Sequence, residues 1–149
     1  MTEQTRVLDG LTVVLGGIGD DIHVVALKIL ERTLNDAGPT DRPLGVMTPP
    51  DEFVAEARDA NADAIWISSS NGHAEVWCRG LRDALRAAAL TKILLYIGGN
   101  LAVGQRDWND VERNFGDLGF DRVYPPGTDP DAAVKDLAGD AARKRVETR

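Results

Sequence analysis

Five short apolar runs, separated by amphipathic stretches, restrict this chain to alternating strands and helices. Leu11–Gly16 is the first, a branched apolar run ending in glycine. From His23 onward, Val24, Leu27, Leu30 and Leu34 recur at helical spacing until Asn35–Gly38 stop the run. Leu44–Met47 reads as a second strand, placed at a sheet edge by Pro39 and Pro43 before it. Thr48 reads as the cap of a helix opened by Pro49 and Pro50, with Asp51 and Glu52 in its first turn. Phe53, Ala57 and Ala60 form its inner face. Ala64–Ser68 is the third strand, followed by one helix over Ala74–Ala89 with Val76, Leu81 and Leu85 inward. Lys92–Ile97 is the fourth strand, Asp107–Leu118 a helix through Val111 and Phe115, and Asp121–Tyr124 the fifth strand. Thr128 or Asp129 caps a last helix that opens at Pro130, and the tail from Ala141 is expected to fray.

Near-continuous apolar strands imply a parallel sheet covered on both faces. The expected fold is α/β: a flavodoxin-like (Rossmann-like), doubly wound, five-stranded sheet of order 2-1-3-4-5, with helices on both faces. A single domain is expected over 1–149, with its ordered core over about 9–140. Seventeen Lys and Arg stand against 24 Asp and Glu, a net charge of −7, which argues against nucleic acid as a partner. Only 5% of residues are aromatic, so a base-stacking platform is also disfavoured. No apolar run reaches the ~18–20 residues needed to cross a bilayer, and residues 1–6 lack an apolar signal core, so a cytoplasmic chain without membrane contact is expected. The lone Cys78 excludes an internal disulfide and a multi-cysteine metal site, and it reads as an inert buried thiol. At 149 residues the chain is short for an enzyme that builds its own substrate cavity.

In such a sheet, ligands sit beyond the carboxyl ends of the strands. Four loops there hold the unusual residues: Gly16–His23, Ser68–His73, Gly98–Gly104 and Tyr124–Thr128. The first loop lacks the third glycine of a dinucleotide fingerprint, and no loop carries the Gly-Lys-Ser/Thr of a phosphate loop. Hydroxyl-rich Ser68–Asn71 is compatible with a flavin site, and Lys92 begins its strand, against a receiver domain. Asp21-Ile22-His23 is sharper. A carboxylate two residues before an imidazole fixes its tautomer and leaves the other ring nitrogen for a metal. The same spacing also fits an N-cap aspartate followed by an exposed first-turn histidine. Asp20 reads as loop solvation, His73 as solvent-facing, Trp66 and Trp108 as packing, and Arg79, Arg82 and Arg86 as a solvated helix face or one that meets an acidic partner.

With these loops laid out, the chain resembles the small, cobalamin-binding subunit of glutamate mutase (methylaspartate mutase) from about Leu11 to Ala138. Asp21-Ile22-His23 resembles the start of the family's Asp-x-His-x-x-Gly signature, Ser68–Ser70 its Ser-x-Leu motif, Ile97–Gly104 its Gly-Gly segment, and Gly119–Thr128 is close to verbatim. The resemblance implies base-off binding of adenosylcobalamin, with His23 as the lower axial cobalt ligand, oriented by Asp21. Asp20, Ile22 and Val24 would flank it. The nucleotide tail would run past Ser68, Ser69, Ser70, Gly98 and Gly99. Asn100, Leu101, Ala102, Val103 and Gly104 would line its channel, and Tyr124, Pro126, Gly127 and Thr128 would close the far end. The implied activity is the radical interconversion of L-glutamate and threo-3-methylaspartate, an isomerase reaction. The implied partner is the large (E, or epsilon) barrel subunit, in a heterotetramer of two small and two large chains, and the small chain is expected to be inactive alone. No other catalytic residue is implied on this chain.

Ala26 stands where the signature has glycine, and Ser70 where Ser-x-Leu has leucine. The first adds a methyl at the tail channel, and the second exchanges an apolar contact for a hydroxyl. Two other readings stay open on the residues. One is a corrinoid module for another mutase or for methyl transfer. The other is a flavodoxin-like regulatory domain without cobalamin.

Overall fold

The computed structural model describes residues 6–102 and 106–147. Among them the elements are β1 (Thr12–Gly17), α1 (Val25–Ala37), β2 (Thr40–Pro43), α2 (Pro50–Ala60), β3 (Ala64–Ser69), α3 (Ala74–Cys78), α4 (Leu81–Ala87), β4 (Leu94–Gly99), α5 (Trp108–Asp117), β5 (Arg122–Tyr124) and α6 (Pro130–Glu147). The strands are all parallel, in the expected order β2-β1-β3-β4-β5.

Period-two alternation along the strands splits the core into two apolar layers. Ile65, Ile67, Leu95 and Ile97 pack with Phe53, Leu81, Leu85, Val111 and Phe115 under α2, α4 and α5. Val13, Leu15, Trp66 and Tyr96 pack with Leu27, Leu30, Leu34, Val134 and Leu137 under α1 and α6. Burying each of these large side chains contributes roughly 2 kcal/mol. Exposed ion pairs such as Lys28–Glu31 and Arg86–Asp83 add little beside that.

Several local expectations are corrected. The edge strand is Thr40–Pro43 rather than Leu44–Met47. It is polar and mostly exposed, so its pairing rests on main-chain bonds: Thr40 donates to the Leu11 carbonyl and Leu44 to the Leu15 carbonyl, each at 2.8 Å. On this alternation Pro43 falls on the outward side, where a missing N–H costs nothing. Leu44–Met47 instead crosses the carboxyl end of the sheet, with Gly45 accepting from the Gly17 N–H at 2.8 Å. Thr48 does not cap α2; Pro49 holds that position, and the buried Thr48 hydroxyl donates to the Gly45 carbonyl at 3.1 Å. The helix expected over Ala74–Ala89 is two helices, because Arg79 turns extended before Gly80. Val76 is 64% exposed, and Ala74 and Cys78 are the inward residues of α3. Burial pushes the Cys78 thiol up to about 12, which fits an inert role. Arg82 is not part of a solvated face. Its guanidinium donates to the Gly119 and Ile93 carbonyls and to Asp121, tying α4 to the ends of β4 and β5. Asp129 caps α6 as expected, and Asp107, expected as the first residue of α5, is instead its cap. Trp66 is buried in the core and Trp108 packs against it, also as expected. Beyond Ala141, α6 continues to Glu147. No helix of the described residues is long and apolar enough to cross a membrane.

A polar clamp joins α6 to the sheet. Asp140, only 9% exposed, accepts from Arg122 Nε at 2.7 Å and Nη2 at 3.0 Å, and also from the Tyr96 hydroxyl and Arg143. The Arg122 guanidinium holds the Asp140 carboxyl below the ordinary carboxylate range. Its stabilisation is therefore complete above the ordinary aspartate value, ~3.9, and is lost as pH falls through the lower folded value. Unfolding followed by circular dichroism is expected to become markedly easier below pH ~4. Asp140→Asn should blunt that acid dependence and cost about 2 kcal/mol at neutral pH. An unchanged acid limb in the variant contradicts this assignment.

Candidate functional site at the carboxyl edge of the sheet

Parallel strands deliver the β1–α1, β3–α3, β4–α5 and β5–α6 loops to one edge. At the centre lies Asp21, 2% exposed. Its Oδ1 accepts from the His23 backbone N–H at 2.9 Å and lies 2.7 Å from His23 Nδ1. Its Oδ2 accepts from the Ser70 N–H at 2.5 Å. Asp21 is therefore not the cap of α1, which begins later at Val25 behind Val24. An ionised carboxylate only accepts, so the proton sits on Nδ1 and the lone pair on Nε2. The His23 side chain is 55% exposed, and Nε2 has no hydrogen-bond partner among the described residues. Among the same residues, no group of three or more His, Cys, Asp or Glu could hold a bare ion. One open nitrogen suits a metal whose other positions are already filled by a macrocycle.

Beside this loop a groove of about 490 Å³ runs between α1 and α6. Ala26, Ile29 and Leu30 form one wall, Trp66, Ser68 and Gly98 the floor, and the Tyr124–Pro130 segment with Ala133 the other wall. Ser70, Gly99, Asn100, Pro126, Gly127 and Thr128 also line it. The Trp66 and Tyr124 rings stack at 6.1 Å, and Tyr124 donates to Asp136 at 2.8 Å. Among the described residues, Asp129 is the one charged residue lining the groove. Two further clefts lie at the opposite end of the sheet, around Thr91–Leu94, and contain none of the candidate residues.

The structure does not bring every expected residue to the groove. Ser69 is fully buried away from it, and its Oγ has no partner among the described residues. Leu101 and Ala102 pack into the layer under α2, α4 and α5. Val103 and Gly104 lie outside the described residues. Ile22 and Val24 stand on the rim, 65% and 47% exposed. Gly99 lines the groove, yet its immediate constraint is internal: φ is +120°, and a Cβ would overlap the Ser69 carbonyl oxygen.

One cluster escaped the sequence reading. Asp20 accepts from Asn71 Nδ2 at 2.9 Å and Trp77 Nε1 at 3.2 Å, and pairs with His73 Nδ1 at 3.0 Å. Hydrogen bonds from Asn71 and His73 hold its carboxyl below the ordinary range. Asp20 is thus engaged rather than merely solvating, and His73 is half-exposed but tied. No short-range pattern in the sequence signals this cluster, since the partners lie 51 to 57 residues from Asp20.

Residues 11–135 match the B12 binding domain family. The chain is 48% identical to the glutamate mutase sigma subunit of Carboxydothermus hydrogenoformans, covering 87% of this chain and 95% of the relative. It is 46% identical to the sigma subunit of Clostridium tetani, covering 87% and 94%. A cobalamin-binding protein from Desulfitobacterium hafniense has the same fold, with a TM-score of 0.71 at 21% identity over 87% of this chain and 58% of that one.

Two outcomes follow from the packing. Gly99→Ala should destabilise the chain by about 3 kcal/mol in urea unfolding, from positive φ and overlap together; a neutral effect contradicts the described approach. Asp21→Ala leaves the Ser70 and His23 N–H groups unpaired and should cost about 2 kcal/mol. It should also abolish the slowly exchanging imidazole Nδ1–H proton in magnetic resonance, whose survival would mean that Asp21 does not hold the ring.

Proposed function

Because the chain belongs to the B12 binding domain family and, within it, to the glutamate mutase sigma subunits, we propose that it holds adenosylcobalamin for that isomerase with His23 Nε2 as the axial cobalt ligand. The carrying observation is the buried Asp21 carboxylate. It occupies Nδ1 and leaves Nε2 open beside an apolar groove. When bound, adenosylcobalamin supplies radical chemistry through its weak cobalt–carbon bond.

The chain's own residues bind, orient and exclude water. Asp21 fixes the imidazole tautomer and sharpens the basicity of Nε2. The groove would hold the cofactor's nucleotide tail, with Trp66 and Tyr124 as an apolar seat and the Ser68 and Ser70 hydroxyls available as polar contacts. Ala26 lines that groove, so its methyl trims the channel. The Ser70 exchange is tolerated because Asp21 uses the main-chain N–H at position 70.

The substrate chamber belongs to a partner. Glutamate carries two carboxylates, and among the described residues no Arg or Lys lines the groove to meet them. The sigma-subunit relatives imply a catalytic partner chain. We assign that role to the large barrel subunit, in a complex of two small and two large chains. Exposed Ile22, Val24, Val25 and Met47 around His23 support a covered rim there.

Mixing the purified chain with cobalamin should shift the visible spectrum to the base-off, imidazole-ligated form. His23→Ala should lose that form and bind at least ~10-fold more weakly. An unchanged spectrum and affinity in the variant would falsify axial ligation by His23.

A further inference from the structure

The segment between β1 and α1 that presents His23 is irregular, so its place is set by what it is tied to. Three ties use the main chain: the Ser70 N–H to the Asp21 carboxylate, the Gly19 N–H to the Thr48 carbonyl at 2.7 Å, and the Met47 N–H to the Asp21 carbonyl at 2.9 Å. A further tie is made by side chains alone. All three side-chain donors to Asp20 come from the far side of the edge: Asn71 and His73 ahead of α3, and Trp77 within it. The Trp77 ring also closes over Gly19, whose φ is +69° and where a Cβ would fall inside the indole. Adjacent aspartates thus divide the work. Asp21 grips the imidazole, and Asp20 grips the neighbouring loop and helix.

We propose that Asp20 and Trp77 are positioning residues that latch the His23 segment to α3 and so set where Nε2 stands. This rests on His23 being the cobalt ligand. It also gives His73 a role, since its Nδ1 is spent on Asp20 and its ring serves the latch. Asp20 and His73 are each about half-exposed, so the latch adds little to global stability and its signature is local.

Amide hydrogen exchange on the cofactor-free full chain reads the latch without reference to cobalamin. Asp20→Ala should speed exchange over residues 18–24 and 70–73 by about tenfold or more, with the thermal midpoint unmoved. Asp20→Asn keeps an oxygen for Asn71 and Trp77 and should restore most of the protection. With cobalamin added, Asp20→Ala should bind about tenfold more weakly and show less of the imidazole-ligated spectrum. Unchanged exchange in Asp20→Ala overturns the proposal, and so does acceleration spread over the whole molecule. Local acceleration with unaltered cobalamin binding overturns it too, since the latch would then position nothing. His23→Ala leaves the latch intact, so failure of axial ligation appears in that variant's spectrum and failure of the latch in Asp20→Ala exchange.

Discussion

A buried carboxylate cannot stand alone, and the site follows from how Asp21 is satisfied. Its burial is paid for by three donors, two from His23 and one from the Ser70 main chain. Meeting those donors requires β1 and β3 to be neighbours and parallel, so that their following loops meet. The sheet order 2-1-3 is therefore what makes an oriented imidazole possible at all. Removing the carboxylate would orphan the Ser70 amide as well as free the ring, so orientation and loop packing are one interaction.

The groove depends on the same sheet from the other side. Trp66 and Tyr96 sit in the layer under α1 and α6, with ring centroids 5.1 Å apart, and Tyr124 closes the cluster from β5. Arg122, Asp136 and Asp140 hold the two phenols from below. An apolar floor whose phenol hydroxyls are turned inward onto carboxylates suits a flat aromatic guest, because the guest meets carbon while both phenols keep a partner.

Much of this was legible in the residues. Continuous apolar strands and flanking prolines are strong signals, so strand order and the edge position of β2 were both readable. The location of β2 was not. Thr40–Pro43 carries no apolar pattern and pairs only through its backbone, whereas Leu44–Met47 looks like a strand and is a crossover. The break at Arg79–Gly80 hid inside a helix-like period for a similar reason. At the site, Asp-x-His spacing alone favoured a cap over a metal pair. The late start of α1 behind Val24 excludes the cap, and that start is not local to the motif. Asp20 was illegible because its partners lie 51 to 57 residues away and form no short-range pattern. Gly99 was read as room for a ligand, yet the Ser69 carbonyl already demands it.

The central claim is that the nitrogen on cobalt belongs to the protein and not to the cofactor's own tail. Electron paramagnetic resonance of the reduced, paramagnetic cobalamin bound to chain labelled with nitrogen-15 at histidine addresses it directly. Ligation by His23 predicts that the axial-nitrogen splitting changes from a triplet to a doublet, and that the doublet vanishes in His23→Ala. A triplet that persists in the labelled protein would mean the tail base still occupies the metal, and would contradict the account.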